Sequence, residues 1–174
     1  NASFSAATNV VRTVVAAPLA ASVTPTAAGK AFGAADPSPL TTGTLTGFLA
    51  GDNVTATYAR IAGEAVGTYL ISATLGAAGG ASVLLNYAIT SNTALFTIGQ
   101  AAQTITFTAP GTPAVYGSTF VVLPTASSGL PVTVTPSGGC TLSGSTVTMT
   151  SGTTACVLTA SQAGNASFTA ATNV

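Results

Sequence analysis

The sequence predicts an all-β chain: two antiparallel β-sandwiches in tandem, together forming the repeat unit of a filament or array. Three observations carry this expectation. Short runs alternate with a two-residue period, and turn residues separate them about every 8–12 residues, as in a sandwich. The opening residues also return almost unchanged at positions 165–174.

Residues 1–16 read as the terminal strand of a preceding unit. A first complete unit is expected over 17–99, where Pro18, Pro25, Gly29, Gly33, Pro37 and later glycines divide the chain into short segments. Strands are expected from Val54 to Arg60, Gly67 to Leu75, Ser82 to Thr90 and Ala94 to Gly99. The stretch from Ala77 to Leu85 is the best helix candidate, but Gly79 and Gly80 favour a hairpin there. A second unit is expected over 100–174. In it Thr104 to Thr108, Val132 to Thr135 and Thr146 to Thr150 alternate, placing Ile105, Phe107 and Met149 on one face and threonines on the other. Threonine is β-branched, so it suits a strand on its wet face as well.

Asn1–Val10 and Asn165–Val174 differ only at Ser5 and Thr169. Self-similarity at a fixed spacing marks a repeat architecture, here with a period of about 164 residues. Such a period suits a two-domain repeat. Two accounts fit: a covalent tandem array, or separate subunits that exchange this strand. In both, Asn1, Phe4, Val10, Asn165, Phe168 and Val174 belong to the strand that joins repeats. In both, the second unit lacks its last strand, which residues of the next repeat supply. The start Asn1-Ala2-Ser3-Phe4 has neither an initiating Met nor a basic leader, so the chain is expected to be an internal piece of a larger precursor.

Of the 174 residues, 47% are hydrophobic and 3% are charged, against about 25% charged in ordinary soluble domains. Disordered chains show the opposite balance. The longest apolar stretches, such as Tyr69 to Thr90, are interrupted by polar residues and glycines. They fall short of the roughly 20 apolar residues a spanning helix needs, so membrane insertion is not expected. The formal net charge is zero, which leaves nucleic-acid binding without an electrostatic footing and favours self-association.

Catalysis is not expected, because the titratable groups are few. The chain has no His, and its carboxylates are Asp36, Asp52 and Glu64. A serine triad lacks its base, and a Ser-Lys variant would rest on Lys30 alone. No cofactor and no metal site is expected. The charges read instead as local structural pairs, with Arg60 paired to Glu64 or Asp52.

The residues Lys30-Ala31-Phe32-Gly33-Ala34-Ala35-Asp36-Pro37, Gly51-Asp52, Arg60, Gly63-Glu64-Ala65-Val66-Gly67-Thr68-Tyr69, Asn86-Tyr87 and Phe96-Thr97-Ile98 occur in that order. This pattern closely resembles the MBG Ig-like domain of the YGX type, found in repetitive bacterial surface proteins. Phe32 stands where that family usually has Tyr, and Ser38-Pro39 resembles a small insertion. Further on come Gln103-Thr104-Ile105-Thr106-Phe107, Gly117-Ser118-Thr119-Phe120, Leu130-Pro131-Val132, Cys140, Cys156 and Ser161-Gln162-Ala163-Gly164-Asn165. That pattern is similar to a second bacterial Ig-like repeat. The resemblances imply an Ig-like fold for both units, an extracellular or cell-surface location, and an adhesive or scaffolding role without an active site.

In that oxidising setting Cys140 and Cys156 are expected to form a disulfide, brought together by two strands joined by a hairpin. The expected function is a structural repeat of an extracellular bacterial fibre or adhesin stalk. Its partners are further copies of itself, head to tail and side by side. A glycan- or protein-binding adhesin module is one alternative. An ice-binding repeat, using the Thr-x-Thr runs as a flat face, is another.

Overall fold

In the computed structural model, which describes residues 12–108, 110–111 and 114–174, the chain is all-β, with short 3-10 turns at Ala50–Asp52 and Ala81–Asn86. The alternation and turn spacing of the sequence lead to this class.

The first half is built around two long paths. One comprises β1 (Leu19–Pro25) and β2 (Ala28–Ala31). Along β1 the two-residue period buries Ala21, Val23 and Pro25 and leaves Ala20, Ser22 and Thr24 more exposed. β3 (Gly43–Thr46), β4 (Val54–Arg60) and β5 (Gly67–Ala77) follow. The second path comprises β6 (Tyr87–Ser91) and β7 (Ala94–Gly99). Each path begins in one sheet and ends in another: the first sheet has the order β3-β1-β6, the second β2-β7-β5-β4.

The two paths run parallel to each other in both sheets, from Leu19 opposite Tyr87 to Val23 opposite Ser91, then from Ala28 opposite Phe96 to Ala31 opposite Gly99. The register offset is the same before and after the crossing. This departs from the purely antiparallel arrangement that was expected. The two paths are the first and last of the unit and not hairpin neighbours, so no tight turn forces them to run in opposite directions. The other pairings, β1–β3, β4–β5 and β5–β7, are antiparallel.

The core of this half is Ile71 from β5 with Phe96 and Ile98 from β7, and Phe32, Leu40, Tyr58 and Tyr69 pack around them. The hairpin expected at Ala77 to Leu85 is replaced by a turn and a 3-10 segment. Gly80 sits at φ 85°, and the Val83 amide bonds back to the Gly80 carbonyl at 3.2 Å. The strand expected from Ser82 therefore starts only at Tyr87.

The second half comprises β8 (Ile105–Thr106), β9 (Thr119–Val121), β10 (Thr125–Ala126), β11 (Thr133–Gly138), β12 (Cys140–Ser143), β13 (Thr146–Met149) and β14 (Cys156–Ser161). β12 and β13 form a hairpin over Gly144-Ser145, with Gly144 at φ 59°, in the left-handed region that two-residue hairpin loops require. The sheets are β12-β13-β9, β11-β14 and the short pair β10-β8. Val122, Cys140 and Val147 form one buried cluster with Val134 and Leu158 against it, so residues of both larger sheets share one interior. A second cluster joins Ile105, Ala160 and Ala171.

Candidate functional site

Among the described residues, three arrangements bring polar or reactive residues together across elements: an ionic cluster, a disulfide, and the seat of the segment 165–174, with a separate Asp52–Tyr87 pair beside them.

The ionic cluster draws together residues from four places. Lys30 lies on β2, Asp36 in the loop after it, Arg60 at the end of β4, and Glu64 in the β4–β5 connection. Lys30 Nζ lies 2.8 Å from Asp36 Oδ1 and also contacts Glu64. Arg60 Nε donates to Asp36 Oδ2 at 2.7 Å, and its Nη2 donates to Asp36 Oδ1 at 3.0 Å and to Glu64. Arg60 Nη1 donates to the carbonyl oxygen of Gly63 at 2.6 Å. The guanidinium also lies 4.8 Å from the Phe96 ring centroid and 5.4 Å from that of Tyr69, a favourable approach to the electron-rich ring faces.

The Lys30 and Arg60 side chains are only 5% and 7% exposed, whereas Glu64 is 67% exposed. Hydrogen bonds from Arg60, and then from Lys30, hold the Asp36 carboxyl at about 2. Glu64 is lowered by Lys30 first and Arg60 second. The same contacts raise Lys30, mainly through Asp36, and raise Arg60, again mainly through Asp36.

Of the expected pairs, Arg60 meets Glu64 and does not meet Asp52. Asp52 ends the 3-10 turn Ala50–Asp52 and accepts a short hydrogen bond from the Tyr87 hydroxyl. That bond raises the Tyr87 pKa, and the same hydroxyl accepts the Leu49 amide at 3.0 Å. The second carboxylate on Arg60 is Asp36, which sequence spacing does not bring near because the loop that carries it folds back over β4. Among the described residues, no group of three or more His, Cys, Asp or Glu side chains is placed to hold a metal ion.

Cys140 and Cys156 form a disulfide with their Cα atoms 5.2 Å apart. It does not span the β12–β13 hairpin, where Cys140 faces Met149. It ties the start of β12 to the start of β14, and so links the two larger sheets. Sequence reasoning placed the partner on the hairpin's return strand, but the chain runs one strand further before it comes back.

The segment 165–174 lies against the second half. Asn165 Oδ1 accepts the amides of Ser167 and Phe168 at 2.8 and 3.0 Å, an Asx-type turn. Ala101 and Phe168 form a parallel bridge, with the Ala101 amide on the Ser167 carbonyl and the Thr169 amide on the Ala101 carbonyl. Phe168 also meets Phe32 of the first half edge-on, at 5.6 Å between ring centroids. Val174 exchanges both main-chain hydrogen bonds with Ala160 on β14. The matching residues Asn1, Phe4 and Val10 lie outside the described residues.

Gln103 is a residue that sequence reasoning did not single out. It is buried, donates to Thr169 O at 2.7 Å and Gln162 Oε1 at 2.9 Å, and accepts the Ser128 hydroxyl. An amide at the head of the face that continues through Ile105 and Phe107 was the available signal, since a buried polar side chain needs partners.

No helix among the described residues is long and apolar enough to cross a membrane. Residues 21–97 match the family model of the MBG domain, YGX type. This span runs from within β1 to within β7, and it includes all four members of the ionic cluster. MBG domains are typically found in bacterial surface proteins. No curated protein and no solved structure matches the chain.

Proposed function

We propose that the chain is a non-catalytic structural repeat of an extracellular bacterial fibre or adhesin stalk, joined head to tail through two Ig-like β-sandwich units. The observation that carries this reading is the parallel, constant-register pairing of the first and last paths of the first half. Parallel paths bring the chain in at one end of a unit and lead it out at the other, so successive units extend a line and do not fold back. Tension along that line shears the β1–β6 and β2–β7 ladders, loading many hydrogen bonds together instead of one at a time.

The surface supports the same reading. Every charged residue other than Arg12 belongs to the first half, and residues 100–174 carry none. Leu85, Leu95, Leu123 and Val157 stand at least half exposed, which suits side-by-side contacts between neutral fibres. The MBG match supports a cell-surface setting.

Electron microscopy of a protein containing several consecutive repeats tests the reading. Unbranched threads that lengthen in proportion to repeat number are expected, and compact particles of constant length would overturn it.

A further inference from the structure

We propose that the open groove along the second edge of β14 receives a strand with the sequence of residues 11–16, supplied by the next copy of this chain. The proposal rests on the head-to-tail reading for the source of that strand.

The Ala160 main chain exchanges two hydrogen bonds with Val174, at 2.7 and 3.0 Å. In an antiparallel ladder alternate residues turn their main-chain groups to the same side, so Leu158 and Cys156 present theirs to the edge that Val174 begins to cover. β11 occupies the opposite edge. Among the described residues no strand pairs with β14 at Leu158 and Cys156 on this side. Instead a groove of about 540 Å³ lies there, lined by Phe107, Phe120, Met149, Leu158 and Val174 among others. Exposed main-chain groups beside apolar side chains are the features of a β-strand acceptor.

The first half shows what fills the corresponding slot. There β7 lies between β2 and β5, and it supplies Phe96 and Ile98, two of the most deeply buried side chains in the protein. In the second half the segment that starts parallel to Ala101, as β7 runs parallel to β2, reaches the mouth of the groove at Val174.

The repeated decapeptide indicates the occupant. Where it occurs first, it is followed by Val-Arg-Thr-Val-Val-Ala, a β-branched, largely apolar run suited to a strand. Val14 is 92% exposed where it stands, so its apolar surface is free for a partner. Continuing from Val174, the two-residue period puts the counterpart of Val14 on the side of Ala160. The counterpart of Arg12 falls on that side too, where its aliphatic stem can cover apolar surface while its head stays in water.

The test lengthens the full chain after Val174 by the sequence of residues 11–16. A control carries the same extension with its three valines replaced by Asn. The expected result is a higher Tm, with amide exchange at Leu158 and Cys156 slowed by more than about tenfold in the valine extension alone. Unchanged exchange at those amides, or equal protection from the control, would overturn the assignment. Microscopy of the multi-repeat protein reads the other premise separately. Protection without threads leaves the groove assignment standing and removes the head-to-tail reading, whereas threads without protection do the reverse.

Discussion

Arg60 shows how much one side chain carries in a chain this poor in charge. It binds Asp36 and Glu64, donates to the Gly63 carbonyl, and covers the ring of Phe96. The Asp36 carboxyl is held at about 2 in the folded chain, against an ordinary 3.8. A depressed folded pKa contributes stability that is fully present above the ordinary value and is lost as pH falls through the folded one. Acid should therefore weaken the first half between about pH 4 and pH 2, and Asp36→Asn should flatten that dependence while lowering stability at pH 7. Thermal melts across this range, followed by circular dichroism, check both outcomes. Gly63 is a second site where one atom decides. A Cβ there would stand 2.2 Å from Tyr69 Cε1, at φ 153°. Gly63→Ala should cost about 1–3 kcal/mol, the usual range for overpacking, read as a lower denaturation midpoint.

Among the elements, β7 and the 165–174 segment each add buried side chains to the core of their own half. β7 supplies Phe96 to the first core, and Phe96→Ala should destabilise that half by about 3–5 kcal/mol. The 165–174 segment is anchored by Gln103 through the Thr169 carbonyl. Gln103→Leu takes the donor from the Thr169 carbonyl and leaves the Gln162 and Ser128 side chains without their shared partner, at a cost of about 1–3 kcal/mol; faster exchange of the Thr169 amide, with the β4–β5 amides unchanged, is the expected signature. The disulfide acts at the same scale by closing the segment between Cys140 and Cys156. Reducing it should lower the stability of the second half by about 3 kcal/mol in the chain-entropy picture, and denaturant unfolding with and without reductant measures this.

For the whole molecule, near-neutrality is the governing property. With a formal net charge of zero and only 3% charged residues, contacts between copies in the proposed fibre would rest on apolar and hydroxyl surface, which salt screens little. Assembly should therefore be insensitive to ionic strength, and light scattering from a dilute buffer to about 1 M salt should show no dissociation. Under force, the parallel first and last paths should make the first half yield at a higher load when pulled through its ends than when pulled across the β4–β5 hairpin, where the bonds open in sequence. Single-molecule extension along the two directions compares them.

Local pattern determined the all-β class and many of the strands. Val54–Arg60 and Ala94–Gly99 form where alternation predicts them, because the two-residue period is a property of the strand itself and needs no partner to be read. The pairing of Cys140 with Cys156 was legible for a similar reason, as two thiols leave one choice. Tertiary structure alone decided that β1 and β6 run parallel, that the disulfide joins two sheets, and that Asp36 takes the place beside Arg60 expected for Asp52, which binds Tyr87 instead. Each of these depends on how loops bring distant segments together, and pairing partners carry no mark in the local sequence when they lie far apart along the chain.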